Sequence, residues 1–201
     1  TGVSFKANIA SADLEKMSVD IRSASLSLGG LGLELNGSVS MYEGAITTDL
    51  AYKIDSWTLN DVVALVPESF SKYIDGINIE EGTISSNGTL KGILKDSTQM
   101  PLMDIQLALS GVVGSYPQAL PLNVENINAQ VHIVTDLLTD SLSFAQIESF
   151  EARTALSLVR LSGRADRLLS DIHFNGVLLA DLDLGELMPM VPDTLNLTAA
   201  G

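Results

Sequence analysis

The chain contains no cysteine, one tryptophan among ten aromatic residues, two histidines and only eleven lysines and arginines. Without cysteine there is no disulfide, zinc finger, iron–sulfur cluster or thiol nucleophile. Twenty-five acidic residues set against those eleven bases leave a formal charge of −14. That is the wrong sign for a protein that gains affinity by neutralising phosphates, so nucleic acid is excluded as a partner. Long apolar runs are missing too. Stretches such as Val62–Pro67 and Val177–Ala180 fall far short of the ~18–20 residues of a membrane-spanning helix. The opening TGVSFKANIA alternates like a strand and lacks the basic start and apolar run of a signal peptide.

What remains is aliphatic. The 201 residues are 46% apolar, with mean hydropathy +0.27, enough to fold and bury a core. The apolar residues recur with period two. Val3, Phe5, Ala7 and Ile9 alternate with polar neighbours, as do Met17, Val19 and Ile21, then Leu31, Leu33 and Leu35 with Val39 and Met41. Met103, Ile105, Leu107 and Leu109 form the cleanest series; Ala129, Val131 and Ile133 follow, then Leu142 with Phe144, Leu156 with Leu158, and Ile172 with Phe174. Alternation gives each strand one apolar and one wet face, the mark of antiparallel sheets. The expected fold is mainly β: long curved antiparallel strands with two short helices, forming an open, repeat-like groove. Gly29-Gly30, Asn36-Gly37, Asn87-Gly88 and Asn175-Gly176 mark turns, or bulges where they fall inside apparent strands. Tyr116–Asn126, with Pro117 and Pro121, reads as an irregular crossover.

Two segments break the alternation and match each other without gaps: TLNDVVALVPESF at 58–70 and DLGELMPMVPDTL at 183–195. Both read as helices. Thr58 with Asp61, and Asp183 with Glu186, have the spacing of an N-cap and an N3 acid, and Pro67 and Pro192 stop both at the same place. Helix is therefore expected over Leu59–Tyr73 and Leu184–Met190, with Val62, Leu65 and Val66 equivalent to Leu187, Met190 and Val191. The strand GTISSNGTLKG follows the first unit; its counterpart would start near Leu195, so residues 1–201 read as one β-rich piece ending inside a repeat.

The sequence offers little chemistry. His132 and His173 each sit between apolar strand residues and point to the opposite face. Neither has the companions of a zinc site, so no metal or cofactor is expected. The run Asp181–Glu186 lacks a full set of calcium ligands and is better read as helix capping. Adjacent Glu80 and Glu81 face opposite ways and cannot share a substrate. Trp57, with Tyr52, Phe70 and Tyr73 nearby, reads as the small core where a helix meets a sheet. No nucleophile elbow, phosphate loop or acid pair appears, and the chain is not expected to be an enzyme.

LNDVVALVP followed by the strand GTLKG (Gly88–Gly92), LGELMPMVP near the end, and DIQLALSG (Asp104–Gly111) together resemble the AsmA-like family of Gram-negative envelope proteins. The resemblance spans most of the chain. It implies a fragment of a repetitive C-terminal region, periplasmic, with flanking repeats and an inner-membrane anchor in other parts of the protein. The family is associated with outer-membrane assembly and is similar to bridge-like lipid transfer proteins, so the implied partner is a phospholipid or other acyl-chain lipid.

A greasy sheet face must be covered, closed or offered to something apolar, and two short helices cannot cover so many strands. The groove candidates are Ile105, Leu107, Leu109, Val131, Ile133, Phe144, Leu158 and Phe174, with their pairing left open. Three readings follow: a non-enzymatic lipid groove or scaffold, a structural or adhesion-type β-sandwich, and, least supported, a hydrolase on a β scaffold.

Overall fold

The computed structural model describes residues 2–13, 16–28, 31–64, 75–96, 98–117 and 120–188. Its strands are β1 (Gly2–Asp13), β2 (Lys16–Leu28), β3 (Leu31–Tyr42), β4 (Ala45–Thr58), β5 (Asn78–Leu94), β6 (Leu102–Tyr116), β7 (Leu120–Thr135), β8 (Phe144–Arg153), β9 (Leu158–Asp166) and β10 (His173–Asp181). Helix α1 (Leu59–Ala64) follows β4 and helix α2 (Leu184–Leu187) follows β10, with a 3-10 turn at Asp140–Leu142. All ten strands form one open antiparallel sheet in chain order, without a crossover. A sandwich needs a second sheet, and none occurs among the described residues.

The register carries a single apolar row through all ten strands. Val3, Leu26, Leu33, Ile54 and Ser86 face one another in turn across β1–β5. Leu107, Val131, Ile147, Gly163 and Gly176 continue the row across β6–β10. One residue along each strand lies its opposite: Ser4, Ser25, Glu34, Lys53 and Asn87, then Gln106, His132, Gln146, Arg164 and Asn175. Because side chains alternate sides with period two, these neighbouring rows lie on opposite faces. Both histidines project from the polar face, as their flanking residues predicted.

Each even-numbered strand up to β8 keeps its apolar series on one side by means of a bulge. The extra residue falls at Arg22-Ser23 in β2, Asp55-Ser56 in β4, Ser110-Gly111 in β6 and Glu148-Ser149 in β8. At each, two apolar-face residues stand three apart: Ile21 and Ala24, Ile54 and Trp57, Leu109 and Val112, Ile147 and Phe150. In a regular strand that spacing would put them on opposite faces; the bulge restores the match and adds local twist. Gly111 adopts φ 60° and donates its N–H to Asn128 Oδ1 at 3.0 Å.

Several connections differ from expectation. Tyr116–Asn126 is not a crossover: β6 runs to Tyr116 and β7 starts at Leu120, with Pro121 near the strand start, where a missing ladder N–H is tolerated. Asn175-Gly176 lies within β10 rather than in a turn, while Asn36-Gly37 and Asn87-Gly88 lie within strands, the alternative their flanking alternation had left open. Helix α1 is described only to Ala64, so the expected extension toward Tyr73 and the packing of Leu65, Val66, Met190 and Val191 lie outside the described residues, as does the side chain of Leu187. The caps form as their spacing predicts. Asp61 N–H donates to Thr58 Oγ1 at 3.2 Å and Glu186 N–H to Asp183 Oδ1 at 2.8 Å.

A single layer leaves a large surface. The accessible area is 12992 Å², against about 9,100 Å² for a compact globule of this mass. Among the described apolar residues only Leu31, Pro101 and Ala129 are buried.

The bulge at Gly111 yields a test. An added Cβ there meets no atom within 4 Å, so any cost arises in the backbone. Gly111→Val should lower stability by about 1–2 kcal/mol, because a β-branched residue is disfavoured at positive φ. Gly111→Asn, which tolerates that region, should cost clearly less; urea unfolding midpoints of the two variants make the comparison.

Candidate functional site

The candidate site is the apolar face of the sheet. Four consecutive rows centre on Met103, Ile105, Leu107 and Leu109 of β6. The Ile105 row holds Phe5, Ala24, Leu35, Tyr52 and Gly88 on one side, and Ile133, Ala145, Ala165 and Phe174 on the other. The Met103 row holds Ile21, Gly37, Leu50, Leu90 and Thr135; the Leu109 row holds Trp57, Ile84, Ala129, Phe150, Leu161 and Leu178. No residue in these four rows is a carboxylate, an amine, a guanidine or a histidine.

The hydroxyls on this face are already engaged. Ser86 Oγ donates to Gln106 O at 3.0 Å, which uses its one proton, so at the 2.9 Å Tyr52–Ser86 contact the tyrosine donates. Thr135 Oγ1 lies 2.9 Å from Ser143 Oγ, and Thr48 Oγ1, one row further out, donates to Gly92 O at 3.4 Å. Three of the strand glycines lie under aromatic rings: Tyr52 covers Gly88, and Phe174 covers both Gly163 and Gly176. This fills what would be gaps in the apolar surface. Trp57 fixes the α1 end, its indole Nε1 donating to Gly32 O at 2.9 Å.

Six of the eight groove candidates share this face. Ile105 is opposite Ile133 and Leu107 opposite Val131, with Leu109 in the next row and Phe174 at the β10 edge. Phe144 and Leu158 do not join them. Phe144 pairs with Val134 and Asp166 on the polar face, and Leu158 pairs with Arg153 and Asp181. The reason is phase. Leu142 lies in the 3-10 turn and Leu156 in the turn before β9, so neither sets the alternation of the strand that follows. Ala145 and Ile147 supply the apolar face of β8, and Val159 and Leu161 that of β9. Phe144 serves instead as a platform, with the Arg164 guanidinium 3.6 Å above its ring and His132 edge-on at 5.5 Å. His132 Nε2 in turn contacts Asp104 Oδ1 at 2.8 Å.

Hollows open on the polar side. One of about 410 Å³ is lined by Lys53, Asn87, Gln106, Gln130 and Glu148, and one of about 350 Å³ by Ser149, Glu151, Arg160 and Leu179. The apolar face is a broad open surface. Toward the sheet edges it is freely exposed, 75% at Val3 and 64% at Leu178; in the central strands its side chains are half-buried by one another.

Among the described residues no group of three His, Asp or Glu side chains is placed to hold a metal ion, and no helix is long and apolar enough to cross a membrane. The acids that suggested a calcium loop anchor α2. Glu186 accepts from Ser157 Oγ at 2.6 Å, Thr154 Oγ1 at 2.7 Å and the Leu156 N–H at 3.3 Å. These bonds tie α2 to the β8–β9 turn.

No protein-family model, curated protein or solved structure matches the chain.

The Glu186 anchor makes α2 docking pH-dependent. Hydrogen bonds from Ser157 and then Thr154 hold the carboxyl below its ordinary value of 4.5. A lowered folded-state pKa means that the anchor is fully present above that value and is lost as pH falls through the lower folded one. Amide shifts of Leu156 and Glu186, followed by NMR from about pH 7 to pH 2, should move together below the ordinary carboxylate range. In Glu186→Gln that step should vanish.

Proposed function

We propose that this chain is a non-enzymatic, lipid-binding scaffold segment of an AsmA-like envelope protein, working in the periplasm between flanking repeats and a membrane anchor elsewhere. One observation carries the reading: the register aligns the apolar sides of ten strands into one uncharged surface, and among the described residues no second layer covers it. Acyl chains suit such a surface. Each methylene removed from water contributes about 0.8 kcal/mol without any directed polar contact, and the face offers none, since its hydroxyls are bonded within the protein. The side chains are mostly aliphatic and uneven, which suits flexible chains better than a rigid ring system.

A charge placed on the face provides the test. Leu107→Asp should cost under about 1.5 kcal/mol in urea unfolding, because a carboxylate on an open surface keeps its water. The same variant should lose the phospholipid that native mass spectrometry detects on wild-type protein purified from a bacterial envelope. If Leu107→Asp unfolds the chain outright, the face is a sealed core and the lipid reading has no physical basis.

A further inference from the structure

The turns that join odd to even strands all lie at one end of the sheet. In the middle of that rim, between β5 and β8, aliphatic side chains stand in water. Ile93, Leu102, Leu137, Leu138 and Leu142 are 38–54% exposed, and none of them belongs to the four apolar rows. Ile93 and Leu102, opposite Thr47 and Lys91, lie on the polar face. Ile93, Met100 and Leu138 line a hollow of about 340 Å³ between the β5–β6 and β7–β8 connections.

The β7–β8 connection is built to hold its leucines there. Leu137 adopts φ 62°, a left-handed conformation that glycine or asparagine takes more readily than leucine. Its N–H donates to Thr135 Oγ1 at 3.1 Å, and Asp136 Oδ1 accepts from the Leu138 N–H at 2.9 Å. Ser143, only 1% exposed, closes the loop, its carbonyl accepting from the Arg167 N–H at 2.8 Å. A leucine fixed in a strained conformation with its side chain in water points to a contact outside the chain. The charges of the rim indicate the character of that contact. Its four connections from β3–β4 to β9–β10 carry Glu43, Asp96, Asp136, Asp140 and Asp171 against Lys95 and Arg167. A bilayer of anionic lipid repels such a rim, and so does a second copy of it.

We infer that this rim docks a cationic amphipathic segment of another protein, a helix with large aliphatic residues on one face and lysine or arginine beside them. The apolar side of that helix covers Leu137, Leu138 and Leu142 and sends one side chain into the hollow, while its cations face the rim carboxylates. The inference stands apart from the lipid reading, since every residue it uses lies outside the four apolar rows.

The probe is a synthetic peptide of about four helical turns, leucine on one face and lysine on the other, titrated into the isotope-labelled full chain. Amide shifts should concentrate at Ile93, Met100, Leu102, Leu137 and Leu138, and the affinity should fall about tenfold between roughly 0.01 and 0.5 M salt. Leu137→Asn relieves the backbone and removes an apolar contact. It should leave the urea midpoint unchanged or raised while weakening peptide binding about fivefold or more, a combination that damage to the fold cannot give. Leu138→Ser should weaken binding to a similar degree with unchanged far-UV circular dichroism. A peptide that shifts no rim amide, or shifts centred on the Leu107 row, overturns the inference. So does wild-type affinity in a protein carrying both substitutions, or equal binding of a peptide with serine in place of lysine. Phosphatidylcholine vesicles that shift the same amides when the peptide shifts none would also overturn it, in favour of a bilayer contact. Lipid occupancy of the apolar face enters none of these readouts, so they can fail while the Leu107→Asp test succeeds, and the reverse.

Discussion

The structure depends on the hydrogen-bonded register between neighbouring strands, because there is almost no interior to hold it otherwise. In a two-layer protein a slipped strand is penalised by the opposing layer. Here the penalty comes within one layer: a slip by one residue would exchange the Leu107 row for the Gln106 row along a whole strand. Cross-strand pairs such as Ile105 with Ile133 and Leu33 with Ile54, each contributing a few tenths of a kcal/mol to about 1, take the place of a core. The four bulges belong to the same constraint, since each makes a three-residue spacing compatible with the shared face.

The loop ends are closed by short-range polar bonds instead of packing. Asp140 accepts from the Leu169 N–H and from Ser170, so the β7–β8 and β9–β10 connections are tied to each other. Asp136 caps the turn at Leu138 and Thr139, and Glu186 does the same for β8–β9. A chain with many acids and few bases uses its carboxylates here as acceptors for backbone and hydroxyl groups. The repeat suggested by the two helix segments has a counterpart in these anchors. α1 is fixed to the start of β3 by Trp57 and Gly32, and α2 to the turn before β9 by Glu186 and Ser157, the same topological place reached with different chemistry.

Much of this was legible from alternation alone. The series through Met103–Leu109 and Ala129–Ile133 identified the strands, their antiparallel pairing and the side each histidine takes. The misplacement of Phe144 and Leu158 arose from extending an alternation through residues that belong to turns, where period two has no meaning. The bulges left a signal that was not used: an apolar pair three apart, enclosing Arg-Ser, Asp-Ser, Ser-Gly or Glu-Ser. Asn175-Gly176 did not mark a turn, because the residues that favour tight turns also suit the interior of a long strand, as Gly37 does at φ 126°. Apolar residues after the bulges, such as Phe150 and Leu161, could join the face only once register was known.

One layer of sheet also sets how this protein responds to solvent. With 12992 Å² left accessible out of about 31,000 Å² for the extended chain, folding removes roughly 58% of the surface, whereas a compact domain of this mass removes about 70%. In its degree of dehydration a chain of 201 residues is therefore comparable to a domain of about 60. The heat-capacity increment and the denaturant slope both follow the area exposed on unfolding, so both are small for a chain of this length. Its stability curve is correspondingly flat, and much of the apolar surface that ordinary domains dehydrate on folding remains here to be dehydrated on binding.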